Sequence, residues 1–89
     1  MKAVITVTGK DCVGIIADVS AMCAHYNANI LEITQSVLSE YFAMIMLADI
    51  SDLNIKFADF ADMLSKIGEK KCLDIRAMHE DIFNSMHRI

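Results

Sequence analysis

Proline and tryptophan are absent from this 89-residue chain, glycine occurs three times, and arginine stands only at positions 76 and 88. With no proline and no biased segment, nothing marks a linker, and the length suits a single domain. Two arginines and a net charge of −4 leave no basic stripe of the kind nucleic-acid binding needs. The longest apolar run, residues 42–48 behind Tyr41, falls well short of the ~20 residues of a membrane-spanning helix. The N-terminal apolar stretch alternates with Thr6 and Thr8 and stops at Gly9-Lys10-Asp11, unlike a signal peptide. The three cysteines, Cys12, Cys23 and Cys72, form no CxxC pair, which argues against a zinc cage or a disulfide framework. These absences lead to the expectation of a soluble, cytoplasmic chain that contacts neither membrane nor nucleic acid.

What the chain has in excess is apolar surface. It is 55% hydrophobic, against roughly 45–50% for average soluble proteins. A domain this small buries only about 60–65% of its unfolded surface. Some of the excess must therefore lie on the outside of a monomer, where a large patch marks an interface. Self-association into a homodimer or higher homo-oligomer is the expectation.

Residues 2–8 read as a β-branched strand with Ala3, Ile5 and Val7 on one face, broken by the loop Gly9-Lys10-Asp11-Cys12-Val13. From Gly14 the period becomes helical, with Ile15, Ile16, Val19, Met22, Cys23 and Tyr26 in one stripe, and Asn27-Ala28-Asn29 ends it. Residues 30–39 and 41–49 form two strands of a hairpin, the second apolar on both faces, as a covered central strand would be. Ser51-Asp52-Leu53-Asn54 offers N-caps for a second helix carrying Phe57, Phe60, Ala61, Leu64 and Ile67, closed by Gly68-Glu69-Lys70-Lys71. Residues 72–78 make a weaker edge strand, and residues 80–89 place Ile82, Phe83, Met86 and Ile89 on one helical face. The order predicts an α+β, ferredoxin-like βαββαβ sandwich: a four-stranded antiparallel sheet, two helices on one face, and a short C-terminal helix. Residues 1–78 make the domain and residues 79–89 an extension, packed on that domain or on a partner subunit.

The loop from Gly9 to Gly14 is the strongest candidate site. Free N–H groups at a helix start can hold a carboxylate, and Asp11 could hold an ammonium, which together describe an amino acid. The competing reading is a capped turn, with Asp11 as the cap and the glycines only shaping the chain. Cys12 could gain thiolate character from the helix start, but Asp11 beside it opposes that, so a silent cysteine is favoured. A metal site from His79, Glu80, Asp81 and His87 is disfavoured, because on one helix the two histidines would stand roughly 12 Å apart. His25 suits the negative end of the first helix. No Ser-His-Asp or paired-carboxylate constellation is present, and Lys10 is the only base where an acylphosphatase-like site needs arginine. The chain reads as one that binds without cofactor or metal and is not an enzyme.

The stretch Gly9-Lys10-Asp11-Cys12-Val13-Gly14-Ile15-Ile16-Ala17-Asp18-Val19, followed by Asn27-Ala28-Asn29-Ile30-Leu31-Glu32-Ile33, resembles the ACT domain. The whole chain, including the segment from His79 to Ile89, is similar to a family of bacterial and archaeal proteins made of a single ACT domain. That resemblance implies a regulatory module that dimerises and binds an amino acid or related metabolite at the interface. The site residues it implies are Asp11, Cys12, Val13, Gly14 and Ile15 of one chain, with Asn29, Ile30 and Leu31 of its neighbour. The related glycine-cleavage transcriptional repressor implies an alternative, a ligand-free module that contacts another protein. Without a catalytic domain, any signal passes to a separate partner or between subunits.

Overall fold

The computed structural model describes residues 1–10 and 14–86. Its elements run β1 (Lys2–Lys10), α1 (Ile15–His25), β2 (Asn29–Leu38), β3 (Tyr41–Asp49), α2 (Phe57–Lys70), β4 (Leu73–His79) and α3 (Glu80–Met86). The strands form one antiparallel sheet in the order β2-β3-β1-β4. This is the expected ferredoxin-like sandwich, with β2 and β4 at the edges. No helix among the described residues is long and apolar enough to cross a membrane.

The period-two pattern sets the core. Ala3, Ile5 and Val7 of β1 and Phe42, Met44, Met46 and Ala48 of β3 are buried toward the helices. They meet Ile15, Val19 and Cys23 from α1 and Phe60 and Leu64 from α2. Ile16, placed by the sequence in the same stripe, is 37% exposed, because three turns of helix on a flat sheet bury one row. Burial pushes the Cys23 thiol up to about 11, so it stays protonated and inert at neutral pH.

Both helices end in left-handed residues. Asn27 (φ 63) closes α1, with Asn27 N–H donating to Ala24 O and Ala28 N–H to Cys23 O, the paired bonds of a Schellman motif. Cys72 (φ 58) closes α2. Gly68, expected among the closing residues, lies instead inside the helix, buried against β4. A Cβ there would sit 2.6 Å from Leu73 O and 3.0 Å from Ile75 Cγ1. Gly→Ala within a helix ordinarily gains about 1 kcal/mol. Here Gly68→Ala is expected to lose about 1–3 kcal/mol through overpacking, read as a lower Tm in thermal unfolding; a Tm at or above wild type would contradict this close approach.

Other boundaries also moved for physical reasons. β1 continues through Gly9 and Lys10, paired with Phe42 and Tyr41. Gly9 is therefore a ladder position and not a loop residue. A side chain there would run into Leu73 Cδ2. The N-cap of α2 is Lys56, with no side-chain cap, and two of the cap candidates before it, Ser51 and Asn54, bond elsewhere. Ser51 Oγ accepts from the N-terminal ammonium at 2.8 Å, and Asn54 Nδ2 donates to His25 O at 3.4 Å.

The face away from α1 and α2 is partly open. α3 touches β1 and β4, and Val4, which points away from the main core, is 4% exposed. Next to it Leu47 of β3 is half-buried, and farther along the same face β3 presents Ile45, Ala43 and Tyr41, with Tyr41 and Ile45 about half exposed. The double-sided apolar character of β3 thus has full cover on one face and cover only near Leu47 on the other.

Candidate functional site

Register defines the two ends of the sheet. At the loop end, Lys10 pairs with Tyr41, and Tyr41 with Leu38. At the far end, Lys2 pairs with Asp49, and Asp49 with Asn29. Eight residue steps separate them, roughly 25 Å at the strand rise of ~3.3 Å.

The loop end carries the start of α1. Gly14 is its N-cap, at φ 87 and ψ 0, and brings no side-chain cap. Its position is exposed, and nothing lies within 4 Å of where a Cβ would stand, so φ and not crowding calls for glycine. The first intrahelical bond is Asp18 N–H to Gly14 O at 3.0 Å, which leaves the earlier first-turn N–H groups outside the ladder. Ile15 is 3% exposed, so its side chain belongs to the core and only its backbone can serve a ligand. Asp11, Cys12 and Val13 lie outside the described residues.

Asn29, Ile30 and Leu31 sit at the other end, on the edge strand β2. Asn29 is exposed, Ile30 half-buried, and Leu31 43% exposed at a register shift between Ile30 and Glu32. Bulges of this kind re-aim a side chain. Beside them, Asp49 accepts from Ser51 N–H at 2.9 Å. The backbone and hydroxyl of Ser51 hold its carboxyl below the usual carboxylate range, helped by the nearby N-terminal ammonium. One chain therefore holds the two groups of candidate residues at opposite ends of its sheet and does not bring them together.

A cavity of about 390 Å³ does open at the loop end, lined by Thr8, Gly9, Ser36, Tyr41, Phe42 and Ala43. Thr8, Ala43 and Ser36 form one cross-strand row, so small Ala43 leaves a dip between Tyr41 and Ile45. The signal was present in the alternation of β3 but carried no weight without the register. His79 stacks on Phe57 at 4.3 Å between ring centroids, and His87 lies outside the described residues. Among the described residues no group of three His, Cys, Asp or Glu is placed to hold a metal ion.

The model of the ACT domain matches residues 2–77. A UPF0237 protein of Clostridium perfringens is 51% identical over 89 residues, covering all of both chains. The structure of an ACT domain protein from Streptococcus pneumoniae superposes with a TM-score of 0.79 at 38% identity, over 98% of each chain. The regulatory subunit of aspartate kinase from Thermus thermophilus shares the fold at a TM-score of 0.64 and 18% identity, over 86% of this chain and 50% of that one.

Proposed function

This chain belongs to the ACT-domain family, and on that premise we propose that it is a regulatory protein that binds an amino acid or related metabolite between two copies of itself. ACT domains are regulatory ligand-binding domains. The observation that carries the reading is the placement of the two candidate halves at opposite ends of one sheet, with β2 at its edge. Antiparallel pairing of two β2 strands about a two-fold axis puts Asn29 of each copy beside the loop end of the other. It also covers Leu31, Ile33 and Val37, which are 43%, 43% and 59% exposed. In that arrangement the first-turn N–H groups of α1 receive the carboxylate and Asp11 receives the ammonium. Such a protein binds and signals, and does not catalyse.

A thermal-shift screen against the standard amino acids tests this. Ligand at 100 times its Kd adds about 2.7 kcal/mol, about 10 °C or more in Tm for a domain of this size. No shift with any amino acid would overturn the amino-acid reading and favour the ligand-free alternative, a module that contacts another protein and in which the loop is only a turn.

A further inference from the structure

We propose that the groove between α1 and α2 is a second ligand site, one that takes a small carboxylate with an extended aliphatic body. The groove measures about 620 Å³, within the ~300–1,000 Å³ range of small-molecule sites. Its walls are Ala21, Met22 and Tyr26 on the α1 side and Ile67 on the α2 side. Met22, Tyr26 and Ile67 are half-buried against the core, so they present fixed apolar surface.

Both ends of the groove are bridged. Tyr26 meets Phe60 edge-on at 6.3 Å, and Lys71 Nζ pairs with Asp18 Oδ2 at 3.0 Å. Between Asp18 and His25 the groove runs along two helical turns, roughly 10 Å. That is short for a docked helix, which needs anchors over several turns, and suits a single extended small molecule.

Charge selects the head group. The chain carries −4 overall, yet the lining holds one acid, Asp18, against Lys70, Lys71 and His25. Lys70 is exposed beside the Lys71–Asp18 pair, so an incoming carboxylate meets the Lys70 ammonium next to an aspartate whose charge Lys71 already balances. A cationic or zwitterionic ligand gains nothing there, which separates this site from one shaped for an amino acid. A second copy of the chain is the competing occupant, but the apolar surface that calls for one lies on β2.

The probe is octanoate, titrated into the isotopically labelled full-length protein and followed by backbone amide chemical shifts. Saturable shifts confined to residues 18–26 and 67–71 are expected, with none from octylammonium. Ala21→Leu fills the exposed mouth with a good helix former; it should keep the wild-type Tm and abolish the shifts. Lys70→Glu should weaken binding about tenfold. The proposal is overturned by no saturable shift at millimolar octanoate, by equal shifts with octylammonium, or by unchanged binding in Ala21→Leu. It is also overturned if these amides shift with protein concentration alone, which would place a second copy in the groove.

Discussion

Phe60→Ala is expected to destabilise the fold by about 3–5 kcal/mol, the range for truncating a fully buried aromatic. Phe60 is 0% exposed. It lies at the centre of the helix layer, with Tyr26 edge-on at 6.3 Å and Phe57 at 6.5 Å. Losing the ring removes its apolar burial, leaves a cavity beneath α2, and takes away the partner that holds the end of α1 through Tyr26. At roughly 0.05–0.15 kcal/mol per residue, a domain of this length holds about 4–13 kcal/mol in all, so this one truncation removes a large share of it. Chemical denaturation should show a midpoint far below wild type or no folded baseline at all. A loss under 1 kcal/mol would mean that the helix layer closes over the space, and that Phe60 does not fasten α1 to α2.

The second large effect concerns assembly. Ile33 and Val37 point from β2 toward the helix side of the sheet, in register with Met46 and Phe42. Unlike those neighbours they stand exposed, at 43% and 59%, on a strand at the edge of the sheet. An edge strand of this kind, long and apolar, invites another strand. Ile33→Lys combined with Val37→Lys places four like charges across a two-fold pairing of β2 with β2. The double variant should keep its secondary structure, since both positions are exposed in the single chain. It should sediment as a monomer and lose any amino-acid thermal shift, because each loop is then left without the neighbour's Asn29. A variant that remains dimeric would place the contact elsewhere, the half-open face around Tyr41 and Ile45 being another exposed apolar surface.

Much of the fold was legible in the sequence because period and burial agree. Residues 41–49 alternate cleanly between exposed or half-buried and buried positions, and the Phe57, Phe60, Leu64 and Ile67 repeat fixed α2. Where the reading slipped, tertiary contacts decided. Gly9-Lys10 looks like the start of a turn, yet it continues β1 because both neighbouring strands pair with Gly9. Ser51 and Asn54 look like caps, but the N-terminus and the end of α1 claim them. Gly68 looks like a stop and is a point of close approach to β4.

The candidate site was legible to a different degree. Local chemistry marks the loop, and Gly14 takes the left-handed conformation that only a glycine adopts cheaply. Family resemblance, and not local pattern, paired that loop with residues 29–31. The separation of the two along the sheet follows from strand register, which no local pattern in the chain encodes. The groove between α1 and α2 depends on how far apart two helices lie on a sheet, so the sequence had no means of announcing it.

Sedimentation equilibrium of the wild-type chain at micromolar concentration tests most directly whether the site is completed by a second copy. A dimer should appear, at about twice the 9.9 kDa of one chain. A mass of 9.9 kDa at every concentration, with and without amino acids, would contradict the account.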